Sequence, residues 1–331
     1  MGHCCVMSVR SELPSTLGAA FSVAEARRLG VGAGRLRAAD VVAPFKGMRL
    51  RVPAQSHDTA RNEFEAAEQE HLDAAHAYAA VMRRGEFFCY ETAVLLWGGP
   101  RPHGPISASI DVAVLGDDDG LPRATNVRGR RLASRSTRIV TVQGLRVATP
   151  ASTWAMLGRH WSVDQLTAFG DYACRIWREG VGRPDAGLPP LARIDQFAAA
   201  LASSRRVGAA KLRESLDLIR CDSWSPRETG CRLALLRAGL PEPLLNLDVF
   251  DETGSFIGCT DMAYPDQKVA IEYQGRQHAE TYADDVERAE RFRAAGWIMI
   301  QVTSAAYDSP RSYTTRVRQA LVSRGWPGLL T

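Results

Sequence analysis

Residues 269–273 read Val-Ala-Ile-Glu-Tyr, an acid set in the middle of an apolar run. A run of this kind is a strand, and its period of two puts Val269, Ile271 and Tyr273 on one face and Ala270, Glu272 and Gln274 on the other. A carboxylate at the centre of such a strand is costly to bury unless it is paired or coordinates a cation. Glu272 therefore restricts the segment to folds that bring it a partner. Asp261 lies upstream on a second predicted strand, 256–263, joined to the first by the turn Pro265-Asp266-Gln267. Two acids on neighbouring strands suit a small hard cation, which takes one or two carboxylates and leaves room for water.

The flanking pattern fills in a domain. Ser225-Pro226-Arg227-Glu228 opens a helix, with a serine cap, proline at the first position and an acid in the first turn. Leu233, Leu236 and Leu240 give it one apolar face, and Gly239 closes it. Strands are predicted over 245–250, 256–263, 268–274 and 297–302, and helices over 284–295 and 310–323. The order α-β-β-β-α-β-α is a three-strand meander followed by a helical crossover, expected to be right-handed, onto a fourth strand: an α/β sandwich.

With these residues in view, Asp261 to Gln274 reads D-x(10)-E-x-Q and resembles the PD-(D/E)XK nuclease motif with glutamine in place of lysine. The longer string is S-P-R-E-T-x-x-R at 225–232, D-M-A-Y-P at 261–265, A-I-E-Y-Q-G-x-x-H at 270–278 and D-x-x-R-x-x-x-F-x-x-x-G-W at 285–297. It is similar to the bacterial family called domain of unknown function 559, related to very-short-patch-repair endonucleases. The resemblance implies a restriction-endonuclease-like core in which Asp261 and Glu272 bind Mg²⁺ or Mn²⁺. Glu228 becomes an acid facing the same site, Gln274 occupies the lysine position, and His278 is a candidate base. The implied activity is Mg-dependent endodeoxyribonuclease, or a degenerate relative of one. Two departures bear on catalysis: Gln274 carries no charge at any pH, and Gln301 stands where the family often has arginine.

The rest of the chain reads differently. Ser22 and Glu25 form a capping box for a helix over 22–29, a second short helix is expected over 33–39, and a β-wing follows at 41–51. This is a winged helix-turn-helix-like segment, and Arg35 and Arg37 on its second helix are candidate nucleic-acid contacts. The alternative is a small helical cap with a solvated basic face. A long polar helix is expected over 59–84, then strands at 87–90, 110–115, 126–132 and 138–148, the last broken by a Gln143-Gly144 turn. A helix over 91–97 lies among these strands, and Thr149-Pro150 opens a further helix over 151–159. The wing and the string T-P-A-S-T-W at 149–154 are similar to AbiEi-type antitoxin and regulator domains. That likeness implies a rival function, a non-catalytic DNA-binding transcriptional regulator that uses the nuclease fold as a scaffold.

Charge distribution agrees with a polyanionic partner. The chain of 331 residues carries a net charge of +4, but from Leu121 to Val163 there are eight arginines and no acid, whereas from Cys221 onward acids outnumber bases. Arg128, Arg130 and Arg131 in the basic stretch are further candidate DNA contacts. The expected organisation is α/β multidomain: a winged segment at 1–55, a mixed α/β basic domain at 56–160, a helical connector at 161–222 and the nuclease-like domain at 223–331. A homodimer is compatible with this reading. Seven cysteines without a C-x-x-C pair give neither a disulfide framework nor a zinc spacing. With no apolar run of membrane-spanning length and no signal-peptide core, a cytoplasmic bacterial protein without a membrane partner is expected.

Overall fold

Apolar alternation and helix caps decide the elements of the computed structural model, which describes residues 12–18, 20–43, 45, 47–51, 63–102, 104–117, 120–274 and 282–328. The chain is a mixed α/β protein that divides into two compact units, 1–156 and 157–331.

The first unit opens with β1 (Ala20–Ser22) and α1 (Val23–Arg28), where Ser22 caps the helix by accepting from the Glu25 amide at 3.0 Å. β2 (Val41–Val42) and β3 (Met48–Arg51) complete a small sheet in the order β1-β3-β2. Leu13, Leu17, Phe21, Ala26, Val31, Leu36 and Val41 form its core. The second helix expected at 33–39 is only a 3₁₀ turn, Arg35–Arg37. Gly32 and Gly34 beside it disfavour a longer helix. Pro44 of the wing lies outside the described residues, as do the first residues of the long helix expected from Thr59.

The long helix α2 (Glu63–Ala79) leads to a five-stranded sheet, order β6-β5-β4-β8-β7. Its strands are β4 (Phe87–Phe88), β5 (Ile110–Leu115), β6 (Val127–Leu132), β7 (Ile139–Val142) and β8 (Leu145–Ala148), with α3 (Tyr90–Leu96) after β4 and α4 (Pro150–Leu157) after β8. Gln143 at φ 49° and Gly144 at φ 79° close the β7–β8 hairpin, the left-handed pair that a two-residue turn demands. Phe88, Val112, Val147 and Ala93 pack with Phe45 and Tyr78, whose rings meet edge to face at 5.2 Å.

In the second unit α5 (Val163–Cys174), α6 (Ile194–Ala202) and α7 (Ala209–Leu218) precede α8 (Pro226–Arg237), and α5 packs on both α7 and α8. The helical stretch before α8 thus belongs to the same unit as the sheet. The sheet holds β9 (Leu244–Phe250), β10 (Phe256–Tyr264), β11 (Val269–Gln274) and β12 (Ile298–Thr303), in the order β12-β11-β10-β9. β9, β10 and β11 are antiparallel neighbours; β11 and β12, joined through α9 (Tyr282–Ala294), run parallel. The short α10 (Ser304–Tyr307), which no periodicity announces, precedes α11 (Pro310–Ser323). One face of the sheet buries Met262, Ile271 and Val302 against Cys231 and Leu235 of α8 and Tyr313, Val317 and Leu321 of α11. The other buries Val249, Ala263 and Ala270 against Phe292 of α9 and Trp297. Among the described residues no helix is long and apolar enough to cross a membrane.

Candidate acidic site

The site grows from the start of α8. Ser225 accepts from the Glu228 amide at 3.1 Å, and Pro226 at the first helical position fixes the entry. That geometry turns the Glu228 side chain inward, where it is buried. Its Oε2 accepts from the Trp224 amide at 2.9 Å and from Asn246 Nδ2 at 2.8 Å. Burial raises the Glu228 pKa, against the opposing effect of these donors and the nearby Arg175 charge. A Cβ at Gly230, two residues on, would run into the Tyr307 ring end, so any side chain there must displace Tyr307.

Asp261 sits where β10 loosens from both neighbours. On one side the register runs Thr260–Leu247 and then Met262–Leu245, passing over Asp261 and Asn246. On the other it runs Tyr264–Val269, Ala263–Ala270 and Met262–Ile271. Beyond that pair the Asp261 carboxylate itself takes a strand donor, the Tyr273 amide, at 2.7 Å. The Asp261 carboxyl is pushed up to about 7, by burial first, then by the Glu228 charge; Glu272 adds to the rise, and the Tyr273 amide and Arg288 oppose it. Glu228 and Glu272 are therefore each within electrostatic reach of Asp261.

Glu272 is buried on β11, on the face shared with Ala270. That face is covered by α9, whose Arg288 makes an ion pair with Glu272 and donates to the Cys259 carbonyl at 3.1 Å. A strand carboxylate met by a guanidinium is the paired case that a buried acid requires. Gln274 ends β11, partly exposed, in register with Thr303 of β12, and Gln301 is the β12 neighbour of Glu272. His278 lies outside the described residues.

As a cation site this set offers oxygen ligands of the right hardness, and mutual repulsion of the carboxylates is the feature a cation would relieve. Arg288 already supplies one positive charge. Among the described residues no three His, Cys, Asp or Glu side chains form a group that would hold a metal ion. The oxygens on offer are those of Asp261, Glu272 and Glu228, and each carboxylate already has a protein partner: the Tyr273 amide, Arg288 and Asn246.

The arginines expected at nucleic acid are mostly occupied within the first unit. Arg35 forms a two-pronged pair with Asp40, at 2.9 and 2.7 Å. Arg128 and Arg130 lie 3.5 and 3.2 Å from Asp111, a buried carboxylate on β5 whose pKa burial raises against both arginine charges. Arg131 is 3.7 Å from Asp117. Arg37 is exposed and donates to the Ala33 carbonyl at 3.2 Å.

Arg288, the arginine of the D-x-x-R string, is the partner of Glu272. Two further residues of consequence escape the motif reading. Asp111 had a signal, since Ile110-Asp111-Val112 repeats the acid-in-strand pattern of Glu272. Asn246 had none, because its role depends on φ 48° within β9. No family model matches the chain, and none of the curated proteins matches it either.

Proposed function

We propose that the second unit is a PD-(D/E)XK-type core and that the chain is a Mg²⁺-dependent endodeoxyribonuclease, or a degenerate relative of one, with DNA-binding elements, a winged helix-turn-helix-like segment among them, in its N-terminal half. The observation that carries this reading is the convergence of Glu228, Asp261 and Glu272 from one helix and two adjacent strands, at the point where β10 loosens from its neighbours.

Asp261 and Glu272 would hold the ion. When bound there, a hard divalent cation supplies positive charge against a phosphate oxygen and acidifies a water. Glu228, fixed by Asn246 and the Trp224 amide, keeps a negative field at the pocket's helical wall. Gln274 orients a water by hydrogen bonding alone, which leaves proton removal to a group such as His278. Arg288 must give up Glu272 for the ion to enter.

That ion pair, together with glutamine in the lysine position, favours a second reading: a non-catalytic DNA-binding regulator in which Arg288 replaces the metal as the partner of Glu272. Incubation of the purified protein with plasmid and oligonucleotide DNA in Mg²⁺, Mn²⁺ or EDTA decides between them. Metal-dependent cutting that Asp261→Asn reduces by orders of magnitude supports the nuclease. Binding without cutting in every metal supports the regulator.

A further inference from the structure

α2 ends at Ala79, and the segment that follows it runs beside the β7–β8 hairpin. Between them lies an open cleft of about 390 Å³, lined by apolar Ala79, Met82 and Leu145 and by Arg83, Arg84 and Arg146, with Gly144 of the hairpin turn at its side. No carboxylate lines it. Arg83 is held in place by Glu86, Nε to Oε1 at 2.6 Å, and by the Gly120 carbonyl. Glu86 is buried at 1% exposure and also accepts from the Tyr78 hydroxyl at 3.0 Å. Its charge is thus spent inward. Arg84 is exposed and Arg146 partly exposed, and among the described residues neither belongs to an ion pair.

This cleft differs from the arginine positions suggested by the sequence. Arg35, Arg128, Arg130 and Arg131 each face a carboxylate of their own unit. Arg84 and Arg146 keep their charge for something else. Guanidinium forks match phosphate oxygens in shape and charge. Apart from the arginines the lining side chains are apolar, and guanidinium contacts to phosphate oxygens fix position on a nucleic-acid backbone without carrying sequence information. The hairpin lies in the stretch from Leu121 to Val163 that holds no acid, so the surroundings favour an extended polyanion over a single small anion.

We propose that this cleft seats phosphate groups of a nucleic-acid backbone, with Arg84 and Arg146 as the contacting residues and Arg83 as a fixed wall. The proposal rests on the reading that the protein's partner is nucleic acid, and its test separates the two.

The double variant Arg84→Glu/Arg146→Glu is titrated with a 20-base-pair duplex of arbitrary sequence in EDTA, across a salt series. Expected is a loss of affinity of about tenfold or more at low salt. The slope of log affinity against log salt should shrink by about two, since each phosphate contact contributes roughly 0.9. Arg84→Lys/Arg146→Lys, which keeps the charges, should retain most of the slope. Arg205→Glu/Arg213→Glu changes net charge equally at exposed positions of the other unit and should stay within about twofold of wild type. Thermal unfolding confirms that all variants are folded. If the cleft variant binds like wild type, or the control weakens as much, the cleft assignment falls while nucleic acid remains the partner. If wild type ignores the duplex at low salt, the nucleic-acid reading falls and the cleft assignment with it. If inorganic phosphate raises the wild-type melting temperature through Arg84 and Arg146 and the duplex does not bind, the cleft is a small-anion site and the proposal is overturned.

Discussion

Asn246 Nδ2 stands 2.8 Å from Glu228 Oε2, and the same nitrogen donates to the Asp222 carbonyl at 2.6 Å. The backbone that aims it has φ 48°, a region that non-glycine residues seldom occupy. Strained conformations of this sort persist where the surroundings hold them, and here the holding groups are a carboxylate and a carbonyl. The irregularity in β9 and the position of the buried acid on α8 are one feature.

Replacing Asn246 separates its two contributions. Asn246→Ala leaves Glu228 short of a donor and keeps the strained φ, so stability in urea should fall by about 1–3 kcal/mol. Asn246→Gly loses the same hydrogen bonds and relieves the backbone, and should recover about 1 kcal/mol of that loss, the left-handed cost less the extra freedom glycine has when unfolded. Equal midpoints for the two variants would show that the backbone stores no strain.

Asp261 makes stability depend on pH. Its folded pKa of about 7 lies above the ordinary value of 3.8, through burial and then the Glu228 charge. Between those values the folded state binds more protons than the unfolded one. The contribution is therefore full below about pH 4 and is lost as pH rises toward 7, on the order of 1.4 kcal/mol per pH unit. Asp261→Asn should flatten this part of the urea-midpoint profile and stabilise the protein at pH 8. A wild-type profile that rises from pH 4 to pH 7 would remove the assignment.

Arg288 and a cation compete for Glu272. In the nuclease reading, Arg288→Met leaves Glu272 without its guanidinium partner, so Mg²⁺ should bind about tenfold more tightly and raise the melting temperature at lower concentration. Glu272→Gln should abolish the Mg²⁺-dependent shift. A melting temperature indifferent to Mg²⁺ in wild type and both variants supports the regulator.

Arg232, the last residue of the S-P-R-E-T-x-x-R string, is wholly buried in this structure. It donates to Asp171 at 3.0 Å, the Leu218 carbonyl at 2.8 Å and Glu242 at 3.1 Å. Arg232→Ala strands Asp171 in the interior and should cost about 3–5 kcal/mol in denaturant unfolding. The double replacement Asp171→Leu/Arg232→Met removes both charges and should be markedly less damaging than the single one.

The second unit was legible because its signals are local. Ser225-Pro226 sets a helix start, the alternation over 269–274 sets a strand, and both elements appear within a residue or two of expectation. Element order alone suggested that charges on α8 and β11 would act on Asp261 of β10, as Glu228 and Glu272 do. The partners of those acids were not legible. Arg288 reaches Glu272 from another element, and Asn246 reaches Glu228 through a backbone angle that no side-chain pattern encodes. The carboxylate partners of the basic stretch were not legible for a related reason: Arg128, Arg130 and Arg131 sit in β6 beside β5 and its flanking turn, and strand pairing delivered the first two to Asp111, while Arg131 met Asp117.

The pairing of Asp171 with Arg232 also sets an order of events at the ribosome. The two residues are 61 positions apart, an interval of about 3–12 s at typical rates of synthesis. Until α8 has emerged, the carboxylate on α5 has no guanidinium to meet and is better left in water. α5 can pack on α7 before α8 emerges, but its α8-facing side stays uncovered until then. A nascent chain stalled between the two positions would present the α5 surface to chaperones rather than to its own core.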